Sequence, residues 1–225
     1  MVTTPHMSAN KLGEFIFATD AKKRSILKTL KFPTPFKNAR YQQAQSAFLQ
    51  FMVDPNHNKA ILETKRNQVA NTPTNNDWQK TKKQGVLEAI DHLLACSETI
   101  LVEYLAYVAN KNIYKVDYDK NVNGVILHLK PEVLMIDKNT NNIIGFIKLA
   151  FTKTHALNSL EANVITAAVK EHVEKSFKIK LNPKNCLLLD VFQRRKFSAQ
   201  KFNQTHNIKI KMACIEIADK WSSIN

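Results

Sequence analysis

Three charged residues stand inside apolar segments: Glu132 in KPEVLMI, Lys148 in IIGFIKLAF and Asp190 in CLLLDVF. A charge in such a setting must find a partner or serve a purpose, because a bare buried charge is strongly disfavoured. Carboxylates so placed can ligate a hard cation through oxygen. They can equally serve structure. Glu132 after Pro131 reads as a strand-start residue that pairs with Lys148, whose long stem can also carry its head out to water. Asp190 reads as an acid held by Lys148 or Arg194. A second set of residues is basic. Lys22, Lys23 and Arg24 open one helix-like segment, Lys82 and Lys83 lie near the start of another, and Arg194, Arg195 and Lys196 follow CLLLDVF with Phe192 and Phe197 beside them. Basic residues interleaved with aromatics suit contact with a phosphate backbone and with bases, or form a plain solvated loop.

Other chemistries lack their residues. The seven histidines form no HxH or HxxxH pair, and Cys96, Cys186 and Cys214 form no CxxC pair, so neither a histidine metal site nor a zinc ribbon is expected. Three widely spaced cysteines in apolar contexts read as buried free thiols, which fits a reducing cytoplasm. With four glycines there is no phosphate-binding loop, no GxGxxG and no GxSxG, which argues against a nucleotide-hydrolysing motor, a dinucleotide oxidoreductase and a serine hydrolase. The loudest feature is charge. Thirty-three Lys and Arg against nineteen acids give +14 over 225 residues. Such an excess favours polyanions, because each neutralised phosphate releases counterions whatever the sequence. Nucleic acid is the expected partner, with an acidic protein as the alternative. No apolar run is long enough for a membrane span.

The elements that must position these residues follow from periodicity. The opening MVTTPHMSANKLG resembles no secretory leader and is expected to carry no structural weight. A basic helix is expected from Asp20 to Pro33, a second from Asn38 to Val53, a short third after Asp54-Pro55, and a long fourth from Trp78 to Ala95 beyond the polar linker NTPTNND. The first 95 residues thus read as a helical region. From 96 onward the order is helix and then strand through ILVEYLAYVANKNIYKV, a meander of three strands (Gly124 to Leu129, Val133 to Ile136, and the segment from Ile143), and a helix from Ser159 to Phe177. The buried strand Cys186 to Phe192 and a helix from Ile208 to Ile224 complete it. The class is α+β.

An αβββαβ order of this kind, with Pro131-Glu132 ahead of one strand and Lys148 on the next, resembles the restriction-endonuclease-like (PD-(D/E)XK) nucleases. The resemblance covers roughly residues 97 to 197, and fifteen residues separate Glu132 from Lys148. It implies a nuclease active site in which two carboxylates hold Mg²⁺ or Mn²⁺ on the scissile phosphate and a lysine positions water. Glu132, Asp190 and Lys148 would be catalytic, with Glu132, Asp190 and Glu103 as metal ligands. One departure is plain. Phe146 stands two residues before Lys148, where the family pattern has an acid, so a substitute must come from Asp190, Asp137, Glu98 or Glu103. The resemblance places such a protein in microbial restriction, repair or anti-phage defence. A non-catalytic subunit or an inhibitor that docks on a nucleic-acid-processing machine is the competing expectation.

Overall fold

A computed structural model describes residues 2–33, 40–109, 116–200 and 204–224. In chain order its first elements are β1 (His6–Ser8), α1 (Ala9–Ile16), α2 (Asp20–Lys31), α3 (Gln42–Val53), α4 (Ala60–Asn71) and α5 (Asp77–Thr99). Five strands follow: β2 (Val108–Ala109), β3 (Asp119–Val122), β4 (Val125–His128), β5 (Val133–Ile136) and β6 (Ile143–Ala150). The chain then forms α6 (Ser159–Phe177), β7 (Cys186–Asp190), β8 (Arg195–Ser198) and α7 (Gln204–Trp221). The central sheet runs β2-β5-β6-β7-β8, with β6 and β7 parallel and the other neighbours antiparallel. A smaller sheet, β1-β4-β3, stands apart from it.

Side-chain alternation divides the centre into two cores. Phe146 and Ala150 on β6, with Cys186 and Leu188 on β7, face a core shared with α1, α2, α6, α7 and the small sheet. Ile147, Leu149, Leu187 and Leu189 face the opposite core, covered by α3, α4 and α5. Helix α6 is the connection between the parallel strands β6 and β7. It is held by Ile165, Val169 and Val173, all 0% exposed, and by a capping box in which Asn158 and Glu161 satisfy the first free amides. At Gly145 the pairing of β6 with its surroundings leaves no room for a side chain: a Cβ there would lie 2.0 Å from the carbonyl oxygen of Asn185.

Several expectations give way. The amino terminus is structured: β1 pairs in parallel with β4, Met7 is buried, and α1 buries Leu12 and Phe15 at helical spacing. The first 95 residues therefore divide, with α1 and α2 on one face of the central sheet and α3 to α5 on the other. The segment Gly124 to Leu129 is a strand, yet it leaves the expected meander. Asn123 and Gly124, both at positive φ (50° and 80°), close a two-residue hairpin between β3 and β4, and this local turn captures the strand before a distant partner can. Its expected place beside β5 goes to β2, a two-residue strand. The basic stretch after β7 is a strand, β8, rather than a loop. Helix α6 runs from Ser159 to Phe177 as expected, with Asn158 as its cap. The expected helix start at Asn38 and the strand read through 110–115 lie outside the described residues. No helix among the described residues is long and apolar enough to cross a membrane.

Candidate functional site

Glu132 and Lys148 meet. The antiparallel register pairs Val133 with Ile147, which sets Glu132, just ahead of β5, beside the carboxyl-terminal half of β6. Lys148 is 6% exposed, and its Nζ donates to Glu132 Oε1 at 2.9 Å and to the Lys130 carbonyl at 2.7 Å. The second carboxylate oxygen, Oε2, accepts from the Leu149 amide at 2.6 Å. Glu132 is thus committed on both oxygens, and the ammonium is neutralised. Burial, with the neighbouring Lys148 charge adding to it and Glu132 opposing, holds the Lys130 amine below its ordinary pKa. On the same edge, Asn10 of α1 donates to the Leu149 carbonyl at 2.9 Å.

The other carboxylates are engaged elsewhere. Phe146 lies on the same face of β6 as Lys148, and its ring is fully buried in the first core. Asp190 is 0% exposed and sits opposite Ala150 rather than Lys148. Its oxygens accept from the amides of Leu157 at 3.2 Å and Gln193 at 3.4 Å. The charge nearest to it is Arg195, 3.9 Å away; among the described residues no ion pair joins it to Lys148 or Arg194. Burial raises the Asp190 pKa, and the two amides and Arg195 only partly offset that rise. Glu103, in a single turn of 3-10 helix, pairs with Lys196 on the opposite face of the sheet from Lys148. Glu98 pairs with Lys59. Asp137 accepts from Asn139 and Thr140 within its own turn, and these backbone hydrogen bonds hold its pKa below the ordinary value.

A hard divalent cation such as Mg²⁺ takes six oxygen ligands in near-octahedral geometry. The donor set around Lys148 is one carboxylate engaged by an ammonium and an amide, and a single carboxylate does not make the oxygen-rich shell of such an ion. Among the described residues no three His, Cys, Asp or Glu side chains converge on a cation position. The three cysteines are buried and unpaired, and burial pushes their thiols up to about 11, 12 and 11 for Cys96, Cys186 and Cys214.

The basic residues scatter. On α2, Lys22 pairs with Glu14 and Lys23 with Glu216, while Arg24 is exposed. On α5, Lys82 lies over the Trp78 ring and Lys83 donates to the Thr72 carbonyl. The run after β7 divides three ways. Arg194 donates to His92 of α5 at 2.9 Å, Arg195 to the Leu157 carbonyl at 2.8 Å, and Lys196 turns to Glu103 and the Tyr104 ring. Beside Arg194 the sheet ends in an aromatic cluster. Tyr41 stacks on Phe151 (centroids 4.8 Å, planes 11° apart) and meets Phe192 edge-on at 5.6 Å, while His92 meets Phe192 at 5.4 Å. Arg40, Tyr41, His92 and Phe151 were not anticipated. They come from three separate segments with no shared motif, and only folding brings them together. No protein-family model matches this chain, and no curated protein or solved structure is detectably similar to it.

Proposed function

We propose that this chain is a nucleic-acid-binding protein with a restriction-endonuclease-like core that holds its target without cutting it. The order α5–β2–β5–β6–α6–β7, antiparallel through β6 and then parallel across α6, supports the core. One observation carries the rest. Glu132 and Lys148, the acid and lysine of the degenerate motif, are paired with each other, and a buried phenylalanine fills the position between them in the motif. The net charge of +14 supplies the affinity for a polyanion. DNA is the favoured target, and restriction, repair or anti-phage defence the favoured setting, by resemblance alone.

The test is an assay with Mg²⁺ or Mn²⁺ on single- and double-stranded DNA and RNA, with binding followed across salt in the same samples. Salt-sensitive binding without cleavage is the expected result. Cleavage abolished by both Glu132→Ala and Lys148→Ala would overturn it. A second reading, docking on a protein partner, has its own observation: Ile208, Met212 and Ile215 form an apolar stripe along α7, 52%, 61% and 43% exposed. Absence of any nucleic-acid binding would favour that reading.

A further inference from the structure

One face of α5 carries Gly85, Glu88 and His92, at positions i, i+3 and i+7. Each of the three receives a cation from another segment. The Arg40 guanidinium lies against Gly85, so close that a Cβ there would come within 3.1 Å of its Nε and Nη2. Lys153, from the segment after β6, pairs with Glu88. Arg194, from the turn after β7, donates through Nε to His92 Nδ1. Three cations therefore stand in a row about 10 Å long at 1.5 Å per residue, the axial distance that about three phosphates of one duplex strand occupy.

The row is undercompensated. Among the described residues Glu88 is the one carboxylate that pairs directly with it. Burial first, and then the Arg194 charge, keep the His92 pKa below its ordinary value, so near neutral pH its imidazole accepts from Arg194 without neutralising it. Arg40 Nε is buried with no acceptor at all, and no described residue accepts from the rest of that guanidinium. Behind the row, Tyr41, Phe151 and Phe192 form a rigid wall, with the Arg40 guanidinium 5.5 Å from the Tyr41 ring centre. Arg194 itself holds φ at 49°, an unusual conformation for arginine that turns it toward α5.

We infer that Arg40, Lys153 and Arg194 form a track for the phosphodiester backbone of a nucleic-acid strand, with Arg40 and Arg194 bearing directly on phosphates. Guanidinium forks suit phosphate oxygens, and among the described residues no acid pairs with Arg40 or Arg194, so their charge is available. The wall of packed rings keeps the cations aligned, and Gly85 gives Arg40 its seat. This inference rests on the reading of the chain as a nucleic-acid binder and assigns the place where binding occurs.

The experiment measures fluorescence anisotropy of labelled duplex and single-stranded oligonucleotides with the full chain at several salt concentrations. Arg40→Gln, Arg194→Gln and Arg40→Lys run beside wild type, with Lys178→Gln as control at the far end of α6 and circular dichroism to establish that each variant is folded. Removing a single phosphate-binding cation lowers the slope of log K against log salt by about 0.9 on duplex or about 0.7 on single strands, which amounts to an affinity loss on the order of eight-fold on duplex at 0.1 M salt. Arg40→Gln and Arg194→Gln should show that loss while Arg40→Lys keeps most of the slope and Lys178→Gln changes little. Binding in which the two arginine variants match Lys178→Gln overturns the track and leaves the wider reading standing. Failure of the wild type to bind any oligonucleotide overturns both.

Discussion

Glu132 reaches across to the neighbouring strand twice, accepting from the Lys148 ammonium with one oxygen and from the Leu149 amide with the other. Lys148, in turn, ties back to the Lys130 carbonyl. Together the acid and the lysine clamp the entry of β5 against the carboxyl-terminal half of β6.

Breaking one half of that clamp should therefore be costly. Glu132→Gln leaves a 6%-exposed ammonium without its counter-charge and is expected to destabilise the fold by about 3 kcal/mol, the usual scale for such an orphaned ion. Adding Lys148→Met should recover part of the loss, because the buried charge is gone while the Lys130 carbonyl is left without its donor. Urea denaturation of the two variants checks this. A cost below about 1 kcal/mol for the single variant would reduce the pair to a surface contact.

Gly145→Ala should be among the most damaging single-methyl changes available in this chain. The obstacle is backbone, Asn185, rather than a flexible side chain, so β6 and the turn before β7 must move apart. A loss of about 3 kcal/mol or more is expected, read from the denaturation midpoint.

Asp190 gives a pH dependence of defined sign. Its folded-state pKa is raised above the ordinary value of 3.8, chiefly by burial, so the folded state binds its proton more tightly than the unfolded chain does. Its own contribution to stability therefore becomes more favourable as pH falls through the raised pKa towards 3.8 and is constant below that. Comparison of wild type with Asp190→Asn between pH 7 and pH 4 isolates it. The difference in unfolding free energy should move in favour of wild type on acidification. A difference that is flat or moves the other way would mean the carboxyl is not the destabilised group the geometry describes.

Arg194 holds φ at 49°, where a residue with a Cβ is disfavoured by roughly 1–2 kcal/mol. Arg194→Gly should relieve that strain and, after the larger backbone entropy of glycine in the unfolded chain, leave stability unchanged or raised by up to about 1 kcal/mol. It should at the same time weaken oligonucleotide binding. Thermal melts and anisotropy on one preparation would check both. A variant that loses stability would show that the His92 contact, rather than the phosphate track, is what the strain supports.

What could be read without coordinates followed physical range. Helices α6 and α7 are legible because Ile165, Val169, Val173 and Phe177, and Ile210, Ala213, Cys214, Ile217 and Trp221, repeat at the helical period; all lie in the core except Phe177, which is half-buried against it. Glu132 and Lys148 were legible as a pair because they flank one hairpin, where separation along the chain nearly fixes separation in space. Strand β1 was missed because its burial depends on Val125 and Leu127, which local pattern does not reach. Strand β8 was missed because Arg195 and Lys196 look like solvent-facing loop residues, although charge on an edge strand is a common guard against unwanted pairing. Asn123-Gly124 is itself a strong local hairpin signal, and it joins β4 to β3 rather than to the meander. Arg40 had no local signal at all, since its role depends on a glycine 45 positions away.

The parallel pairing of His6, Met7 and Ser8 with Ile126, Leu127 and His128 fixes an order of events during synthesis. Helices α3, α4 and α5 can pack on one another as soon as they leave the ribosome, since their partners lie close by in the chain. The strand β1 and α1 cannot do so: they must wait for β4, α6 and α7, all of which emerge after them. The residues of β1 and α1 thus settle late, and until then Met7, Leu12 and Phe15 remain open to chaperones or to neighbouring chains. A bulky fusion at the amino terminus should therefore delay completion of the fold far more than the same fusion at the carboxyl end.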